Sequence, residues 1–285
     1  MPGTAHGGWI LEESEVEAFS HRDRQQPPSV IIHLPHASRV IPAVDRDALC
    51  LSDEQLAAEL VTMTDAFTEE IFAMNSPRAR AIVFPVSRLV VDPERFPDDA
   101  IEPMAARGMG VVYTRTAAGA PLRTHLDAHA RQALLATYYE PHHHQLEAAV
   151  GAALTHWSSC LVIDGHSFPS APLPYELDQS PDRPEICIGS DDFHSPVGLV
   201  DAAVRLCEQA GFRVAVNRPF SGALVPGHFY RTDRRVMAIM IEINRALYMD
   251  EASGERRPDF VTVAAAIQSV VRQLIDAVGT GFRRL

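Results

Sequence analysis

Short apolar runs, bounded by prolines, glycines and polar turns, recur along this chain and alternate with stretches of helical periodicity. Six of them read as strands, at residues 30–34, 81–84, 161–164, 186–188, 213–216 and 237–243. Such alternation is the pattern of a sheet covered by helices, so it predicts an α/β fold. Ser52 predicts a helix N-cap, with Asp53 and Glu54 in the first turn, for a helix running to about Met74. Residues 121–157 also read as helical, either as two helices or as one kinked at Pro141, because proline lacks the amide donor. The proline-rich stretch 168–183 follows a strand and reads as a long loop, a common place for an active-site wall.

With 285 residues, 46% of them hydrophobic, the chain can bury a substantial core, and we expect a single domain over 1–285. A formal net charge of −12 opposes attraction to phosphate backbones and anionic membranes, so nucleic acid is not an expected partner. The opening MPGTAHGGWILEESEVE has no basic region followed by an apolar stretch. Uninterrupted apolar runs such as 236–241 are too short to cross a bilayer, so the expected location is cytoplasmic. Cys50, Cys160, Cys187 and Cys207 form no CxxC pair, which argues against a disulfide framework or a thiolate metal site.

Two histidines stand at the ends of apolar strands, His36 in VIIHLPHAS and His166 in LVIDGHS. Ligands of open α/β sheets gather outside the carboxyl ends of strands, where parallel neighbours would bring both together. Alone, each is compatible with a loop histidine bonded to backbone; together they point to a metal centre. Asp164 faces the same side as His166 and is either an orienting partner or a ligand. A catalytic zinc site takes three protein ligands and keeps one position open, so a carboxylate is needed. Asp65, in TMTDAFTEEIF on the expected helix, is the best candidate, Glu69 is the reserve, and an exposed helical carboxylate is the bland alternative.

Glu242 interrupts VMAIMIEINRALYM, and an ionised carboxylate in a buried strand costs several kcal/mol unless paired or used. It suits a general base in amide hydrolysis; the structural alternative is a salt bridge to Arg245 or Arg88. In SRLVVDPERF, Arg88 suits a substrate carboxylate, with Asp92 holding a neighbouring arginine, unless the group is an internal ion pair. Asn217, in the turn of NRPFSGALV, is a candidate pocket residue. Consecutive helical residues cannot all face one ion, so of His142, His143 and His144 only His143 is taken as a pocket residue. No GxSxG elbow is present, which disfavours a serine hydrolase.

Taken in order, PHAS, TDAFTEEIF, SRLVVDPER, YYEPHHHQL, LVIDGHS, NRPFSGALV and IEINRALYMDE resemble the N-formylglutamate amidohydrolase family over about residues 30–252. The resemblance implies a three-layer fold, a mixed β-sheet flanked by helices, similar to the zinc carboxypeptidase and aspartoacylase type. It also implies one divalent ion, zinc by default, held by His36, Asp65 and His166, with Glu242 as base. The substrate implied is a small acidic N-acyl amino acid, N-formyl-L-glutamate in histidine-degrading members. The alternatives are a related amidase acting on another N-acyl amino acid or peptide, and a non-catalytic metal-binding homologue.

Overall fold

The computed structural model describes residues 26–124 and 126–278. The opening segment and the ends of the expected domain, 1–25 and 279–285, lie outside the described residues. In chain order the main elements are β1 (Val30–Leu34), α1 (Asp53–Met63), α2 (Thr68–Ile71), β2 (Ala79–Val83), α3 (Ala128–Leu134), α4 (Glu140–His156), β3 (Cys160–Phe168), β4 (Ile186–Gly189), α5 (Val197–Gln209), β5 (Val214–Val216), β6 (Val236–Asn244) and α6 (Phe260–Ala277). The strands form one six-stranded sheet in the order β2-β1-β3-β6-β4-β5. All neighbours are parallel except β4 and β6, which run antiparallel. The sheet is therefore mixed, and the six expected strands each have a counterpart.

Strand parity sorts the sheet's residues into two faces, because successive side chains point to opposite sides. Val30, Ile32 and Leu34 of β1, Leu161 and Ile163 of β3, and Ile239, Ile241 and Ile243 of β6 pack with α5 and α6 in one core. The alternate residues Ile31, Val162 and Ala238 pack under Leu146, Val150 and Ala153 of α4. Helices thus cover both faces. Buried Leu, Ile and Val side chains each stabilise the fold by roughly 1.5–3 kcal/mol relative to exposure.

Three expectations are corrected. The helix read over 52–74 starts as anticipated, with Ser52 and Gln55 closing a reciprocal capping box, but it stops at Met63 and resumes only as α2. Between the two, Phe67 adopts a left-handed conformation (φ 66°). The break is held by tertiary contacts: the Asp65 amide donates to the His36 carbonyl (2.9 Å), Tyr248 Oη to the Ala66 carbonyl (3.0 Å) and Thr68 Oγ1 to the Asp65 carbonyl (2.7 Å). Neither Gly nor Pro marks it in the sequence. Within 121–157, helix begins only at Ala128 and passes Pro141 without a stop, through a widened turn at Leu135–Tyr139. Finally, α6 is long and apolar enough to cross a bilayer, although uninterrupted apolar runs suggested no such segment; here half of it is buried in the core beside the sheet.

Candidate active site

At the C-terminal ends of β1, β3 and β6 the α4-side face changes from aliphatic to polar. His33, Asp164, His166 and Glu242 all lie on it: His33 is in register with Asp164, and His166 with Glu242. Gly165, between Asp164 and His166, points the other way; a Cβ there would stand 2.8 Å from Leu34 and 3.0 Å from Phe72, which explains the residue. His36 follows the end of β1, and Asp65 arrives from the break between α1 and α2.

His36, Asp65 and His166 are all buried, and one ligand atom of each lies within 4.8 Å of the others. Asp65 Oδ2 is 3.1 Å from His166 Nδ1 and 3.6 Å from His36 Nδ1. Donors on a tetrahedral ion with zinc-like bond lengths stand ~3.3 Å apart, so this set fits one divalent cation. His36 Nδ1 is buried without a hydrogen-bond partner, as expected of an atom suited to an ion. A carboxylate lies beyond each imidazole on its other nitrogen: Asp92 Oδ1 accepts a hydrogen bond from His36 Nε2 (2.8 Å), and Asp164 Oδ1 is 3.1 Å from His166 Nε2, within ion-pair distance but without hydrogen-bond geometry. At His36 that is the arrangement that fixes tautomer and ring orientation around a metal, and at His166 the Asp164 charge stands in the corresponding place. Of the reserve ligands, Glu69 is exposed on α2, and Asp164 stands behind His166.

Glu242 is buried, and its Oε2 has no hydrogen-bond partner. Burial, reinforced by the Asp65 charge, pushes its pKa up to about 8 against the opposing influence of His166, Arg245 and Arg88. No salt bridge forms to either arginine considered above: Arg245 donates to Asp65 Oδ1 (2.8 Å) and to Ser167 Oγ (3.1 Å), while Arg88 donates to Asp92 Oδ2 (2.9 Å) and Tyr113 Oη (2.9 Å). Burial would raise the carboxyl of Asp65, but His166, His36 and Arg245 hold it well below the usual range. Asp92 is likewise held low, by His36, Arg88 and Arg95 outweighing its burial.

Arg88 and Asp92 therefore sit beside the triad as a linked pair. Asp92 is fully buried and occupied by His36, Arg88, Tyr113 and the Glu94 amide, so its surroundings suit an orienting rather than a substrate-contacting residue. Asn217 is exposed, and its amide group bridges to the Ser190 amide (2.8 Å) and hydroxyl (2.9 Å), closing a turn. His143 packs against Tyr139 with the rings tilted by 32° and donates to the Pro93 carbonyl (3.0 Å). A second group, His33, Glu94 and Asp164, also brings ligand atoms within 4.8 Å of one another. Neither it nor the Arg245 to Asp65 contact was anticipated. His33 carries the signal that flagged Glu242, a polar residue in an apolar strand.

A polar site at the carboxyl ends of parallel strands, with paired imidazoles and buried carboxylates, is where an α/β enzyme carries its chemistry. The sequence model for N-formylglutamate amidohydrolase matches residues 28–249, most of the chain. The chain belongs to that family. No curated protein sequence matches it. Among solved structures it is similar to N-formylglutamate amidohydrolase from Ralstonia eutropha, with a TM-score of 0.78 and 23% identity over 90% of this chain and 96% of the other. It is also similar to a gene product of Agrobacterium tumefaciens, with a TM-score of 0.59 and 21% identity over 92% and 94% of the two chains. These likenesses extend the fold assignment along nearly the whole length.

Proposed function

We propose that the chain is a metal-dependent amidohydrolase that cleaves N-formyl-L-glutamate with water to L-glutamate and formate. The observation that supports this reading is the convergence of His36 Nδ1, His166 Nδ1 and Asp65 Oδ2 near Glu242, whose Oε2 has no hydrogen-bond partner and which lies one strand from His166. His36, Asp65 and His166 would hold one ion, with zinc the default for nitrogen and oxygen donors. Bound there, it supplies Lewis acidity to an amide carbonyl and to water, and a positive charge that opposes the rise in the Glu242 pKa. Glu242 takes the proton from the attacking water and passes it to the departing nitrogen. Asp92 and Asp164 orient the two imidazoles. Arg88, already fixed by Asp92 and Tyr113, offers its remaining guanidinium edge to a substrate carboxylate.

The substrate assignment rests on the family and on Arg88. Zinc-loaded protein incubated with N-formyl-L-glutamate should release formate and glutamate in equal amounts, lose this activity to a chelator and regain it with zinc. No release from N-formylglutamate, with release from an N-acetyl or N-succinyl amino acid, would overturn the substrate and keep the chemistry. No hydrolysis of any of them would overturn both.

A further inference from the structure

The two carboxylates behind the imidazoles are secured in different ways. Asp92 is gripped by Arg88 and Tyr113, with Arg95 3.6 Å away. Asp164, fully buried, has no arginine among its ion-pair partners in the described residues. Its Oδ2 accepts the Leu224 amide (2.9 Å), and its Oδ1, 3.1 Å from His166 Nε2, is also 3.0 Å from His33 Nδ1. Sheet register sets this last contact, because His33 and Asp164 are paired residues of adjacent parallel strands. Glu94 Oε1 lies 3.2 Å from the same His33 nitrogen. On its far side, His33 Nε2 is 2.9 Å from His142 Nε2 of α4, so the imidazole is pinned at both ends.

Packing does not call for this arrangement. His33 is completely buried two residues after Ile31 on the same face, where an aliphatic side chain would continue the core without desolvating an imidazole. What the histidine adds is a donor to Asp164 and a link to His142. Burial lowers its pKa, but hydrogen bonds and charges from Asp164 and Glu94 prevail and push it up to about 9, so the ring is a strong donor towards the carboxylates. Burial and the neighbouring His33 and His143 bring His142 down to about 2, which makes it the acceptor in the pair.

We propose that His33 is a positioning residue for the metal centre: clamped between His142 and Asp164, it holds Asp164 Oδ1 against His166 Nε2 and so keeps His166 Nδ1 turned towards Asp65 and His36. The inference rests on the metal reading above. Without the His33 donor, buried Asp164 and partly buried Glu94 face each other with nothing between them, Asp164 turns away, and His166 loses the carboxylate beside its Nε2. Outer partners of this kind are worth about 10–100-fold in metal affinity.

The test compares zinc affinity, by competition with a chromophoric chelator, and the melting temperature of metal-free protein for wild type, His33→Leu, His33→Asn and His33→Gln. Asparagine places an amide donor near the imidazole Nδ1 position and glutamine near Nε2, so the first keeps the Asp164 contact and the second keeps only the His142 contact. Leucine fills the space with no donor. The inference expects about 10–100-fold weaker zinc binding for Leu and Gln, and an Asn variant within a few-fold of wild type. A side chain that merely fills space gives the reverse, with Leu near wild type and Asn weaker, and that result overturns the proposal. Should His33→Leu fail to fold, equal affinities of the Asn and Gln variants overturn it alone. A wild-type chain that takes up no zinc would instead remove the metal reading, and this inference with it.

Discussion

The two faces of the central sheet are written by the same strands, residue by residue in alternation, and they end in different chemistry. Towards α5 and α6 the pattern stays aliphatic to the strand tips, through Leu34, Ile163, Ile241 and Ile243. Towards α4 it begins as aliphatic, with Ile31, Val162 and Ala238, and then turns into His33, Asp164, His166 and Glu242. The difference teaches that stability and chemistry are separated by parity: a shift of one residue exchanges a core isoleucine for a carboxylate at Ile163–Asp164 of β3, or for an imidazole at Ile32–His33 of β1. Gly165 shows how tight the separation is, since the aliphatic side leaves no room for even a methyl group between the two polar residues.

The largest break in this comparison should come from Glu242→Gln, which preserves shape but cannot accept a proton. Turnover should fall on the order of 100-fold to 10,000-fold while bound metal, measured by elemental analysis, stays at the wild-type level. Folding should be unharmed or slightly improved, because the amide avoids the cost of a buried charge. Turnover within a few-fold of wild type would remove Glu242 from the base role.

Ile239→Ala, on the opposite face of β6, should do the converse. Chemical denaturation should show a loss of about 2–5 kcal/mol from the cavity, with metal content per folded chain and turnover unchanged. If turnover instead fell in step with stability, the two faces would not be independent.

Asp92→Asn tests the support behind His36. The amide retains a hydrogen-bonding oxygen but not the charge, so zinc affinity should weaken by about 10–100-fold. Arg88→Lys is the mildest change. It loses the planar fork, so KM for N-formylglutamate should rise by roughly tenfold with kcat retained, the equivalent of about one charge-assisted hydrogen bond. Unchanged kinetics with a lowered melting temperature would make Arg88 purely structural.

The strands were legible because short apolar runs with polar punctuation leave few alternatives. Their ends shifted by one or two residues at most, except at β3, which continues through Gly165 and His166 to Phe168 since its polar residues pair in register with β6. His36 and His166 stand out as imidazoles at strand exits, Asp65 as a charge among apolar helical neighbours, and Glu242 as a carboxylate out of place in an apolar run. What could not be read was created by tertiary contacts. The α1 break that brings Asp65 inward depends on a backbone bond to His36 and on Tyr248, far along the chain. At Asp92 local spacing points to the arginines around it, but not to the long-range contact with His36. At Asn217 the turn chemistry is legible in the sequence, whereas what the turn faces is not. His33 lies close to the more conspicuous His36, although its strand position obeys the same rule as that of Glu242.

The central claim is that the polar face holds one catalytic ion between β1, β3 and the α1 break. Metal content per chain, measured by elemental analysis on wild type and His166→Ala purified identically, tests it most directly. The account expects about one divalent ion in wild type, as an open three-ligand site would hold, and a large loss in the variant. Equal metal content in the two proteins, or none in a folded wild type, would contradict it.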